Sequence, residues 1–314
     1  MGGRQARAGR RTSACYIAPV KILYEEPLAR HGFWRVGGPI ERLALVDEAA
    51  ELAELYASDP GLHLLGNGSN LLAPDVGLRG TVVKLGGSFR DSGVLDDDGD
   101  HVRYRAGAGL LNVALLARVA RLGLGGLGPL AGVPGTVGGA VAMNAGTALG
   151  EVSDVLDAVE GLGPDGSRTL TRAELPMRYR EGGLPPGFVV TAAIFRLTRT
   201  GYADEQAKIA HHLARRRATQ PLDLPSCGSV FRNPPGDAAG RLIESVGLKG
   251  HRVGGASISE VHANFIVNLG GASAIDVMTC IHTAWSTVRE QTGITLIPEV
   301  HVLGDWPREV WPLR

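Results

Sequence analysis

The chain lacks an excess of either charge. Lysine plus arginine and aspartate plus glutamate number 32 each over 314 residues, a formal net charge of zero at pH 7. No chain-wide field therefore draws it to nucleic acid or an anionic membrane, and its partners are expected to be small molecules. Cysteine is scarce as well. Cys15, Cys227 and Cys280 lie far apart, with neither paired nor metal-ligand spacing, which suits a reducing, cytoplasmic setting better than a disulfide framework. No run approaches the roughly 18 apolar residues of a membrane span. The stretch following Arg4, Arg7, Arg10 and Arg11 is broken by Ser13, Pro19 and Lys21, too short for a signal sequence. Residues 1–20 are expected to be a disordered basic tail. What is present is 44% hydrophobic content, enough for a substantial core, and a length that supports about two domains.

Periodicity predicts helices over Asp47–Ser58, Leu110–Arg121, Ala203–Arg217, Ala239–Val246 and Ser273–Thr292. Strands are expected at Leu62–Leu65, Thr81–Leu85, Val102–Ala106, Val189–Leu197, Asn264–Asn268 and Glu299–Leu303. This mixture suits α+β better than regular βαβ winding. Composition shifts toward Ser, Asn and Gly beyond the third helix, and the main domain boundary is placed near residue 201.

Glycine is the informative abundance. Leu65-Gly66-Asn67-Gly68-Ser69-Asn70-Leu71-Leu72 follows an expected strand, and Gly132-Val133-Pro134-Gly135-Thr136-Val137-Gly138-Gly139-Ala140-Val141-Ala142-Met143-Asn144-Ala145-Gly146 follows an expected helix. Runs of this kind bring bare backbone N–H groups against a phosphate, at an entropic cost a plain linker has no reason to bear. Both read as loops of a nucleotide-cofactor site. Gly123-Leu124-Gly125-Gly126-Leu127-Gly128 formally matches a dinucleotide fingerprint, but it follows a helix and runs into Pro129. It reads as a helix stop.

The second loop resembles the signature of the UDP-N-acetylenolpyruvoylglucosamine reductase family nearly residue for residue. Further motifs follow in the family's order. They are Arg35-Val36-Gly37-Gly38, the Gly66–Leu72 loop, Tyr179-Arg180, Cys227-Gly228-Ser229-Val230-Phe231-Arg232-Asn233-Pro234, Gly247-Leu248-Lys249-Gly250, His262-Ala263-Asn264-Phe265 and Pro298-Glu299-Val300.

The resemblance implies a vanillyl-alcohol-oxidase/PCMH-type FAD-binding fold over residues 21–200, in two subdomains split near 79. A second α+β substrate-binding domain over 201–305 and a C-terminal tail from 306 would follow. It implies non-covalent FAD between the domains, held by backbone of Gly66, Asn67, Gly68, Ser69, Asn70 and Leu71 and of Val133, Pro134, Gly135, Thr136, Gly138 and Gly139, with Asn144, Ala145 and Gly146. NADPH would donate hydride to the flavin, which passes it to C3 of UDP-N-acetylglucosamine enolpyruvate, forming UDP-N-acetylmuramate for peptidoglycan. Arg180 would stabilise the resulting enolate charge, Glu299 would hydrogen-bond near the substrate carboxylate, and Ser229 would protonate C2. Tyr179, Arg232, Asn233, Lys249 and Asn264 are the expected substrate-binding residues. No metal is implied, and a monomer is expected.

Three departures stand out. Glu181 and Gly182 follow Tyr179-Arg180 where the family continues to a serine, Gly32-Phe33-Trp34 replaces a threonine-rich approach to the first glycine pair, and His301 stands where arginine is common. Cys227 adjoins the Gly228-Ser229 motif with no evident base, so it is expected to be a packed thiol. An oxidase on the same scaffold and a non-catalytic flavin sensor are the competing readings.

Overall fold

A computed structural model describes residues 20–307. The expectations for a tail over 1–19, for residues 308–314 and for Cys15 lie outside the described residues.

The chain begins with a small mixed sheet. Strands β1 (Lys21–Pro27) and β2 (Pro39–Val46) form an antiparallel pair; after α1 (Ala49–Ser58) come β3 (His63–Leu64), β4 (Leu71–Leu72) and β5 (Leu78–Leu85). The sheet order is β1-β2-β5-β3, with β5 parallel to both β2 and β3. In β2, Ile40, Leu43, Ala44 and Val46 are all buried. A strand apolar on both faces shows no clean alternation, so the period-two pattern that marks half-exposed strands is missing there. Helix α1 starts without a Ser or Thr cap, because the Glu51 carboxylate accepts the amides of Asp47 and Glu48 at 2.8 and 3.0 Å.

A second sheet carries the other half of the first region. Its strands are β6 (Ser92–Asp97), β7 (His101–Gly107), β10 (Leu156–Gly163), β11 (Gly166–Thr171) and β12 (Val189–Thr198), ordered β11-β10-β12-β7-β6 and antiparallel throughout. Between β7 and β10 come α2 (Asn112–Arg121), α3 (Val137–Ala142) and the hairpin β8 (Gly146–Thr147) to β9 (Gly150–Glu151). Side chains from both sheets and from α2 and α3 share one core, including Val83, Leu115, Val137, Val159 and Phe195. The subdomain split expected near residue 79 is corrected here. Residue 79 lies inside β5, and the chain passes between sheets at Gly86–Asp91, where the Gly86 amide donates a hydrogen bond to Val46 O and closes the first sheet.

Helix α4 (Tyr202–Thr219) then returns over the first region. The Glu205 carboxylate accepts the amides of Gly126 and Gly128 at 2.7 and 2.6 Å, so the fingerprint-like glycines hold a protein anion and not a cofactor phosphate. The packing therefore changes after α4 and not at residue 201, since the next core gathers residues from Cys227 onward. That core contains α5 (Ala239–Ser245), the sheet β13 (Arg252–Val253), β14 (Ala256–Ile258) and β15 (Ile266–Asn268), and α6 (Ala274–Thr292). It also takes Trp34, Val36 and Leu72 from the first region and Trp306 from the expected tail, so the folded part runs past residue 305. Trp34 Nε1 donates to Ile266 O at 2.6 Å, and Asn268 Nδ2 donates to Trp34 O at 2.9 Å, which explains the replacement at Gly32-Phe33-Trp34 as a bolt between the two cores. Finally β16 (His301–Val302) pairs in parallel with β4, returning the chain end to the first glycine loop.

Candidate active site

The two glycine loops meet. Ser69 Oγ donates to Pro134 O at 2.8 Å, and a Cβ added to Gly66 would stand 2.8 Å from Thr136 Oγ1. Gly68 has φ +64° and its Cβ would strike His31 O, so neither position admits a side chain. The second loop is not all loop. Residues 137–142 form α3, capped by Thr136, whose Oγ1 accepts the Gly139 amide at 3.4 Å. Repeated glycine and alanine hid this turn of helix from a propensity reading, while the cap was present in the sequence.

Backbone hydrogen bonding narrows the expected anion cradle. The Val133, Val137 and Gly138 amides donate to Leu130 O, Leu110 O and Ala108 O, and that of Gly139 to its cap, so these four do not face a ligand as expected. Among the described residues the amides of Gly66, Asn67, Gly68, Ser69 and Asn70, with those of Gly135 and Thr136, have no protein acceptor. Convergent unpaired amides beside positions where a Cβ cannot stand fit a diphosphate. Asn144 is corrected likewise. At 1% exposure its Nδ2 donates to Glu151 Oε2 and Arg178 O, and its Oδ1 accepts the Ser153 amide, so it ties the loop to the Tyr179-Arg180 turn and has nothing left for a cofactor. Ala145 and Gly146 are likewise engaged, the first through its amide to Ala140 O and the second in the β8–β9 pair.

Tyr179 and Arg180 sit at the tip of a turn closed by reciprocal 2.9 Å bonds between Arg178 and Glu181. Arg180 has φ +60°, a conformation that costs a side-chain-bearing residue about 1–2 kcal/mol, and its guanidinium lies 4.8 Å from the Tyr179 ring. Its Nε stands 2.8 Å from Glu299 Oε1, with both side chains 17% exposed. Burial pushes the Glu299 carboxyl above the ordinary glutamate range, against the pull of the Arg180 and Arg232 guanidiniums. Glu299 is fixed through its main chain, where its amide donates to Val230 O at 2.7 Å and its carbonyl accepts from Asn70 Nδ2 at 3.0 Å. One residue thus touches both the Ser229 segment and the first glycine loop.

Ser229 follows Gly228, at φ +79°, and pairs with Phe265 in an isolated bridge. Among the described residues its hydroxyl has no protein partner. The segment is clamped from both sides, with the Val230 amide on Asn264 O at 2.9 Å and the Arg232 amide on Ile297 O at 2.9 Å.

The expected substrate residues divide. Asn264, 3% exposed, uses its amide side chain wholly on the Phe231 backbone, accepting at 3.0 Å and donating at 2.8 Å, so it positions the Ser229 segment and does not face a ligand. Asn233 Oδ1 accepts the Ala239 amide at the start of α5, at 3.1 Å. Lys249 pairs with Glu244 at 3.0 Å and Arg232 with Glu181 at 2.9 Å. The Glu181 carboxylate, to which the sequence assigns no role, joins the Arg180 turn to the Ser229 segment. Gly182 also has a physical reason, since a Cβ there would strike Val141 O and stand 2.6 Å from Ala142 O, at the end of α3. His301 Nε2 lies 2.7 Å from Met143 Sδ, and burial and Arg232 lower its pKa. Cys227 is buried against Gly68 O and Leu71 O, and burial pushes its thiol up to about 12, so it is a packed thiol and no nucleophile.

Comparison with known proteins bears on this arrangement directly. Residues 220–303 match the family model for the C-terminal domain of UDP-N-acetylenolpyruvoylglucosamine reductase, and residues 44–171 match an FAD binding domain. The UDP-N-acetylenolpyruvoylglucosamine reductase of Anaeromyxobacter dehalogenans strain 2CP-C is 46% identical over 289 residues, 91% of this chain and 86% of that protein. The one from Moorella thermoacetica is 44% identical, covering 91% of this chain and 94% of its own. A solved UDP-N-acetylenolpyruvylglucosamine reductase from Thermus caldophilus superposes with a TM-score of 0.77 at 40% identity, over 92% of this chain and 99% of that one. The expected fold class, an FAD-binding region with a separate α+β domain, is borne out.

Proposed function

The chain belongs to the UDP-N-acetylenolpyruvoylglucosamine reductase family, and from that premise we propose a cytoplasmic enzyme that reduces UDP-N-acetylglucosamine enolpyruvate to UDP-N-acetylmuramate with NADPH. The observation that carries the reading is the 2.8 Å pair of Arg180 and Glu299, brought from distant parts of the chain to the rim of an amide cradle. Non-covalent FAD would be held by the unpaired amides of Gly66–Asn70, Gly135 and Thr136, and when bound it supplies hydride transfer to carbon.

Reduction at C3 of the enolpyruvyl group leaves negative charge shared between C2 and the substrate carboxylate. Arg180, permanently cationic and held in a strained turn, is preorganised to offset that charge. Glu299, held 2.8 Å from Arg180 and with its proton affinity raised by burial, is placed to hydrogen-bond beside the same carboxylate. Ser229, with no protein partner for its hydroxyl, can deliver the proton to C2. A serine is a weak acid, but an enolate is basic enough to take its proton where water is kept out. Asn264 acts on this chemistry only through the backbone it holds.

The test begins with the absorption spectrum of the purified protein, which should be yellow and release intact FAD on acid treatment. NADPH oxidation measured with and without the enolpyruvyl substrate then decides. Oxidation dependent on that substrate supports the reductase; oxygen-dependent turnover alone would make the protein an oxidase, and bound flavin without turnover would make it a sensor.

A further inference from the structure

Arg232 stands where two carboxylates compete for it. The segments 230–232 and 297–299 run antiparallel, with the Glu299 amide on Val230 O at 2.7 Å, the Arg232 amide on Ile297 O at 2.9 Å and a bridge between Phe231 and Pro298. That register sets Arg232 diagonal to Glu299, within reach of a long side chain. Its charge is felt there, since the Arg232 guanidinium pulls down the proton affinity of both Glu299 and His301. The contact goes elsewhere. Arg232 Nη1 lies 2.9 Å from Glu181 Oε1, while Glu299 Oε1 is met at 2.8 Å by Arg180 Nε. Arg232 Nε is buried with no acceptor, so this guanidinium still has a donor to give.

Glu181 is tied to Arg180 as closely as to Arg232. Its amide and carbonyl exchange 2.9 Å bonds with Arg178, closing the turn whose tip carries Arg180, and Gly182 behind it leaves no room for a side chain against Val141 O. The carboxylate that directs one cation therefore belongs to the turn that presents the other. About half of the Glu181 side chain is exposed, and an exposed ion pair adds little to stability. What it decides is where the Arg232 charge rests. Were both guanidiniums to close on Glu299, that carboxylate would hold two cations and the substrate's anionic groups would meet none to spare.

Resting on the reductase reading, we infer that Glu181 is a positioning residue, which holds the Arg232 guanidinium off Glu299 so that Arg180 serves the glutamate and Arg232 serves the anionic substrate. Glu181 acts only through Arg232. The groups that bear on Glu299 are then Arg180 from the turn and Arg232 from the Ser229 segment, with His301 two residues further on under the field of the same Arg232.

The test measures flavin-loaded Glu181→Gln against the parent with UDP-N-acetylglucosamine enolpyruvate. KM for that substrate should rise about tenfold as charged hydrogen bonds from Arg232 are withdrawn, with kcat nearly unchanged. Glu181→Asp, which keeps the charge on a shorter arm, should recover part of the loss, and in an Arg232→Gln background Glu181→Gln should change nothing further. A second readout needs no turnover. Ionisation of Glu299 at neutral pH opposes folding, because its proton affinity is raised in the folded state, so Glu299→Gln gains stability there; in a Glu181→Gln background the released Arg232 offsets that opposition and the gain in melting temperature should shrink. Glu181→Gln should itself keep full flavin and melt no lower than the parent. An unchanged KM, the same rise in the Arg232→Gln background, or an undiminished gain from Glu299→Gln would each overturn the inference. Lost flavin or a lowered melting temperature in both Glu181→Gln and Glu181→Asp would overturn it too, by making Glu181 a structural tie. A parent that does not turn over the enolpyruvyl substrate would instead sink the reductase reading, and the melting comparison would still decide whether Glu181 directs Arg232.

Discussion

The Arg180 Nε and the Glu299 carboxylate stand 2.8 Å apart, one on a strained turn of the FAD-binding region and the other on the segment that leads into β16. Neither is fixed by the other alone. The Arg180 turn is tied to the second glycine loop through Asn144, and Glu299 to the first through Asn70. Arrangement of the cradle and arrangement of the charged pair are therefore one structural event.

Glu299→Gln should lower kcat by about 10² to 10³ while changing substrate affinity far less, because its hydrogen bond strengthens as charge develops. Steady-state kinetics check this. An unchanged kcat with a raised KM would reassign Glu299 to binding.

The raised proton affinity of Glu299 carries a sign for stability. Its contribution is fully present below the ordinary glutamate range, near about pH 4, and is lost as pH rises through its higher folded value. Melting temperatures of parent and Glu299→Gln should converge in acid, and the variant should gain relative to the parent toward neutral pH. A constant difference across that span would show that burial does not oppose ionisation there.

Ser229→Ala should leave reduction of the bound flavin by NADPH near the parent rate and slow its reoxidation by the enolpyruvyl substrate by about 10² to 10⁴ or more. Stopped-flow of the two halves separates proton delivery from disturbed geometry, which would slow both equally. Ser229→Cys should recover part of the activity.

Gly138→Val should lose flavin while the C-terminal core stays folded, since the first added carbon already stands 2.9 Å from Ala108 Cβ. Gly182→Ser, which restores the residue usual in the family, should lower flavin content and cost about 1–3 kcal/mol, because the new Cβ meets Val141 O and Ala142 O at the end of α3. Flavin absorbance per protein, read beside a denaturant melt, tests both. Full flavin in Gly182→Ser would mean that the backbone yields there.

Cys227 should not react with a thiol reagent in the native protein at neutral pH, its thiol being raised to about 12 and packed on Gly68 O and Leu71 O. Labelling followed by peptide mapping checks this, and rapid modification of Cys227 would contradict the burial.

Local chemistry made much of this protein legible in advance. The order of glycines in two loops is legible in residue type, because glycine permits a close backbone approach, while the Ser229 and Pro298-Glu299-Val300 motifs are legible through their resemblance to the family. The helices over 112–121 and 274–292 are written in their apolar spacing. Strand β2 is not, because burial on both faces erases the alternation that would betray it. Other facts belong to tertiary structure. Which loop amides remain for an anion depends on whether Leu110 O and Ala108 O come within reach. Asn264 and Asn144 look like ligand-facing asparagines until the fold surrounds them with backbone groups that exhaust their bonding. Gly182 becomes necessary only because α3 ends against it. Hydrogen-bond capacity is a property of the residue; how it is spent depends on neighbours that sequence separation conceals.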